Sequence, residues 1–185
     1  MSGKNVGVFG IYSTRGGVEN GADALVRAGF PSPDISVLLP ESLAGAKEMG
    51  TEKATKAPEG TAAGATTGGV IGGTLGVLAG VGLLAIPGLG PFIAAGPIMA
   101  GLAGLGVGGA VGGVAGALIG AGIPEFEAKR YEGRLQKGGI LLSVHCDTSE
   151  EIRRAKDVLK ATGAEDVTST GEASVDRDAK AARTR

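Results

Sequence analysis

The chain has 185 residues with 18 Lys and Arg against 19 Asp and Glu, enough for one ordinary domain and an appendage but not two independent domains. Charge this balanced, with two Tyr, four Phe and no Trp, removes the electrostatic case for nucleic acid as the main partner. A single cysteine, Cys146, excludes an internal disulfide and a cysteine metal cage, so the expected setting is intracellular, and Met1 to Gly10 lacks the pattern of a secretory signal.

In chain order, residues 1–40 form a first strand–helix–strand half. Asn5 to Tyr12 reads as a strand, Val18 to Arg27 as a short helix ending at Gly29, and Ile35 to Leu39 as a second strand. Residues 41–61 are small and polar with three lysines, a linker with room for one helical turn. Charge then vanishes between Glu59 and Glu125. Beyond the gap, Pro124 starts a charged connector helix (124–138) with Phe126, Tyr131 and Leu135 toward one side and Glu125 four residues before Lys129. A second half covers 139–170. Ile140 to Cys146 is its strand, Ser149 to Thr162 its helix and Asp166 to Thr170 a weaker strand. Thr148 with Glu151 forms a capping box, and Gly163 suits a left-handed helix end. Residues 171–185 are polar and aperiodic, the composition of a disordered tail. Val18, Leu25 and Gly29 fall at one constant offset from Ile152, Leu159 and Gly163, as two copies of one unit would. Two such halves predict an α+β, ferredoxin-like split βαβ sandwich, and an insertion between its second and third strands only lengthens a loop.

The uncharged stretch, residues 62–123, carries the strongest pattern. Glycine recurs every fourth residue, at Gly64, Gly68, Gly72, Gly76 and Gly80 and again at Gly104, Gly108, Gly112, Gly116 and Gly120. Residues four apart share one side of a helix, so each series predicts a groove into which another backbone packs. Between them, Pro87, Gly88, Gly90 and Pro91 predict the turn of a helical hairpin. Each interior glycine costs a helix roughly 0.5–1 kcal/mol relative to alanine, which makes close packing obligatory. Helices of about 25 residues reach near 37 Å, enough for a hydrocarbon core of about 30 Å. Lysines and arginines on both sides of the hairpin would hold its flanks in the cytoplasm, against the cell membrane. The alternative is a soluble particle or filament with the hairpins as its dry core.

The AIPGLGP turn (Ala85 to Pro91), the run GAVGGVAGALIGAGIPEFEAKRYEGRLQKGGILLSVH (Gly109 to His145) and the flanking halves together resemble bacterial general-stress and low-temperature-induced proteins. The resemblance spans most of residues 5–170 and implies a stress-related, membrane-linked, non-enzymatic protein with no catalytic residues to transfer. Arg15, Gly16 and Gly17 depart from the charged helix formers expected at the start of the first helix.

Candidate chemistry is sparse. The GxGxxG match at Gly104, Gly106 and Gly109 sits in an uncharged repeat instead of a strand-to-helix turn, so it predicts no nucleotide site. His145 and Cys146 adjoin on a strand and point to opposite faces, which separates them as metal ligands or as nucleophile and base. Glu150, Glu151, Asp157, Glu165 and Asp166 read as solvated carboxylates, and Arg153, Arg154, Lys156 and Lys160 as a basic helix surface able to meet anionic lipid. The expected function is therefore homo-oligomerisation through the glycine hairpin, with the bilayer as second partner and no catalytic, metal or cofactor site. A small-ligand regulatory module is a further alternative, on fold analogy alone.

Overall fold

The computed structural model describes residues 5–44, 82–86, 90–99, 101 and 113–171. Six strands form one antiparallel sheet: β1 (Val6–Tyr12), β2 (Ile35–Pro40), β3 (Gly82–Ile86), β4 (Gly90–Ala95), β5 (Ile140–Cys146) and β6 (Glu165–Gly171). Their order is β3-β4-β2-β5-β1-β6, with β2 and β5 at the centre. The helices are α1 (Arg15–Arg27), the single turn α2 (Glu41–Ala44), α3 (Gly113–Gly120), α4 (Glu125–Gln136) and α5 (Ser149–Ala161).

The two halves are copies in more than three positions. β1 and β5 have seven residues each, α1 and α5 thirteen each, and both helices are N-capped by a threonine. Thr14 Oγ1 accepts from the Gly17 amide at 3.1 Å, which secures the first turn of α1 despite its two glycines. The Thr148 cap adds the reciprocal bond expected of a capping box, with Glu151 Oε2 accepting from the Thr148 amide at 3.0 Å. Both helices end on a glycine with positive φ, +93° at Gly29 and +90° at Gly163. Beside each, the next amide reaches back to the fifth residue before it: Phe30 to Leu25 at 3.1 Å, Ala164 to Leu159 at 2.9 Å.

The alternation of β5 divides the interior. Ile140, Leu142, Val144 and Cys146 face one side, where Val18, Ala22 and Leu25 of α1 and Ala155 and Leu159 of α5 close over them. Leu141 faces the other side, packed with Phe9, Ile11, Phe92, Met99, Val114 and Leu118 of α3, and Ala128, Tyr131 and Leu135 of α4. Helices thus cover both faces of the sheet. The second layer comes from the inserted region and the connector helix.

The insertion departs from its expected form. Gly82–Ile86 and Gly90–Ala95 pair with one another, and β4 pairs with β2 from Pro40↔Phe92 to Val37↔Ala95. The helical hairpin over 62–123 is corrected at these residues: Gly90 and Pro91, expected in its turn, begin a strand. The physical reason is the edge of β2, whose unpaired backbone groups take β4 as a partner. Pro91 lies just outside that ladder, so its missing N–H breaks no bond to β2. Helix is found at Gly113–Gly120, which holds Gly116 and Gly120. Gly64, Gly68, Gly72, Gly76, Gly80, Gly104, Gly108 and Gly112, with Pro87 and Gly88, fall outside the described residues, as do most of the linker and residues 172–185. No helix among the described residues is long and apolar enough to cross a membrane.

Candidate functional site

α3 is uncharged throughout, so burial alone decides its orientation. Val114, Ala115, Ala117 and Leu118 enter the core, which turns the intervening positions away from it. Gly116 is half-buried, Gly120 is exposed, and Ile119 is 42% exposed. The described part of the second glycine series therefore lies off the molecule's own core. α3 ends with the Ile123 amide bonded to the Leu118 carbonyl at 2.9 Å and Gly122 at φ +96°, and Pro124 then starts α4. Phe126, expected with Tyr131 and Leu135, is instead 71% exposed. Ala128, Tyr131 and Leu135 follow the three-four spacing of a buried stripe, whereas Phe126 is five residues from Tyr131 and falls about 140° round the helix. The Arg130 guanidinium covers the Phe126 ring, 4.8 Å from its centroid. Glu125 and Lys129 form the expected i,i+4 pair at 2.6 Å, fully in solvent.

A polar seam joins α4 to β6. Arg130 Nη1 lies 2.7 Å from Asp166 Oδ1 and Arg134 Nη2 2.6 Å from Glu165 Oε2, while Thr168 Oγ1 donates to Glu127 Oε2 at 2.7 Å. The Tyr131 hydroxyl donates to the Asp166 carbonyl. Glu127, Arg130, Tyr131, Asp166, Val167 and Thr168 line a cavity of about 110 Å³. Burial raises the Tyr131 phenol far above its ordinary 10.0, Glu127 and Asp166 add to the rise, and Arg130 and the Thr168 amide oppose it. The phenol therefore keeps its proton at neutral pH and acts as a donor, not as a base or nucleophile. Glu165 and Asp166, expected as solvated carboxylates, are instead paired with the arginines of α4. Arg130 and Arg134, one helical turn apart on α4, were the available signal.

A second polar group lies inside the sheet. Ser36 and Ser143 are cross-strand partners and both fully buried. Ser36 Oγ accepts from the Ile98 amide at 3.1 Å, which holds the 96–99 segment on β2. Gly96, at φ +91°, makes that approach possible, because a Cβ there would stand 2.4 Å from both the Ile35 carbonyl oxygen and Ser36 Oγ. Among the described residues Ser143 Oγ has no hydrogen-bond partner. His145 shares the face of Ser143 but is half-buried, with Nε2 3.4 Å from Asp147 Oδ1, and Cys146 is buried on the opposite face. Among the described residues no three His, Cys, Asp or Glu side chains are grouped to hold a metal ion. No family model, curated protein or solved structure matches this chain.

Proposed function

We propose that the protein is a non-enzymatic scaffold that self-associates through the outward face of its glycine-rich insertion, with a stress-related role by its resemblance. The observation that carries this reading is the orientation of α3, which buries Val114, Ala115, Ala117 and Leu118 and leaves Gly116, Ile119 and Gly120 for another surface. A helix side without side chains lets a second backbone approach closely, and Ile119 offers an apolar knob beside it. The core that presents it is read as ferredoxin-like. The order β2-β5-β1-β6, with α1 and α5 over one face, supports that assignment, and β3, β4, α3 and α4 are then additions between its second and third strands.

Gly116→Leu with Gly120→Leu tests the reading. These changes add bulk on the outward side of α3, so the variant should elute as a smaller species on gel filtration with unchanged circular dichroism. An unchanged elution volume contradicts it.

Association with the cytoplasmic face of a membrane is the second reading. It is favoured by Phe126, exposed with the guanidinium of Arg130, one helical turn on, over its ring, an arrangement suited to surface contact with anionic lipid. Recovery of the protein in carbonate-washed membranes supports it, and recovery wholly in the soluble fraction contradicts it. A small-ligand module rests on fold analogy, and among the described residues the α4–β6 cavity, at about 110 Å³, is below the roughly 300–1,000 Å³ of ligand pockets.

A further inference from the structure

We infer that α3 is a latched element, hinged where Gly122 meets β6 and held in place at its other end by the Glu132 carboxylate of α4. None of the eight residues of α3 has a polar side chain and three are glycine, so the helix has little stability of its own. The preceding sequence offers no cap either, because residues 100–112 contain no Ser, Thr, Asp or Asn. The first amides of α3 therefore need an acceptor from another element.

Glu132 supplies one. Its Oε1 accepts from the Ala115 amide at 3.4 Å, and Ala115 is the third residue of α3, where an amide has no acceptor inside the helix. Gly113 opens α3 at φ +56°, and a Cβ there would stand 2.6 Å from the same oxygen, so the approach of the carboxylate requires glycine. A carboxylate at this end also meets the positive pole of the helix. At 3.4 Å the bond is long for an amide donor, which suits a contact that opens and recloses. The far end is built differently. The carbonyls of Ala117, Leu118 and Ile119 accept from the amides of Ala121, Ile123 and Gly122 at 3.0, 2.9 and 2.9 Å, so that end closes on its own chain. Gly122, at φ +96°, then carries the tie to the sheet, its carbonyl accepting from Thr170 Oγ1 at 2.6 Å. Between the two ends Val114, Ala115, Ala117 and Leu118 hold the helix by apolar contact. Among the described residues, one side chain thus makes the polar hold on the first turn of α3, and its loss frees that turn while the Gly122 end stays on β6.

The test is residue-resolved hydrogen exchange on the full chain and two variants. Glu132→Met keeps the length of the side chain and removes the acceptor, whereas Glu132→Gln keeps an acceptor oxygen. The wild type should show the Ala115 amide protected. In E132M that amide should exchange about fivefold to tenfold faster, with the Ile123 amide and those of β1 and β5 unchanged, and in E132Q it should stay within about twofold of the wild type. A wild-type Ala115 amide that exchanges as freely as in an unstructured peptide overturns the inference, whether or not the variants fold. So does unchanged Ala115 exchange in E132M, exchange in E132Q as fast as in E132M, or an acceleration that reaches Ile123 or β5 equally. None of these readouts depends on a second copy meeting Gly116 and Gly120, so the proposed function stands or falls separately.

Discussion

Ser143 contributes a hydroxyl that is fully buried and, among the described residues, without a hydrogen-bond partner. Leaving such a group unpaired costs about 1–3 kcal/mol, so Ser143→Ala should be neutral or stabilise by about 1 kcal/mol in urea unfolding. Destabilisation by more than that would reveal a partner for the hydroxyl. Ser36, one strand away and equally buried, has its bond to the Ile98 amide, and the same change there should destabilise. The two tyrosines set the alkaline limit. Burial raises the phenols of both Tyr12 and Tyr131, so the folded state prefers the protonated form more strongly than the unfolded chain does. Their contribution is complete below the unfolded value near 10 and is lost as the pH rises beyond it. Urea midpoints measured from pH 8 upward should therefore fall above about pH 10, and less steeply in Y131F. A midpoint as steep in Y131F as in the wild type would contradict this.

Among the elements, the paired halves were legible because each signal was local and repeated. Thr148 and Glu151 mark the start of α5, Gly163 its end, and Ile140 to Cys146 alternates between two buried faces. Thr148→Ala removes one side of the capping box and should cost about 1 kcal/mol, read as a drop in melting temperature, and no change would show the cap to be idle. β3 and β4 were not legible. GLLAI and GPFIAA are apolar runs of five and six residues bounded by glycine or proline, a length at which strand and buried helix look alike. The four-residue glycine spacing on both sides argued for helix, and the deciding factor was the open edge of β2, which is long-range and leaves no mark in the local sequence. Phe126 departs from its expected face for a simpler reason: a spacing of five residues from Tyr131 does not keep one side of a helix.

At the scale of the whole molecule, the sheet is flanked by helices on both sides, one layer from the repeated halves and the other from α3 and α4. The seam of Arg130, Tyr131 and Arg134 against Glu165 and Asp166 was invisible to a reading that took each element alone, because it forms only when α4 crosses under β6. Exposed ion pairs of this kind contribute little to stability individually, typically about 0–1 kcal/mol, and their geometric consequence is to fix α4 and, through the Gly122 turn, the direction of α3. That direction leaves Ile119 and Gly120 exposed and Gly116 half-buried, and the proposed self-association requires a second copy to meet them. The most direct measurement is cross-linking of Ile119→Cys under mild oxidation, with Arg153→Cys, exposed on α5, as control. The native Cys146 is buried and should not interfere. I119C should give a covalent dimer in high yield and R153C little. Equal or absent cross-linking at position 119 in protein that sediments as an oligomer would place the contact elsewhere and contradict the account.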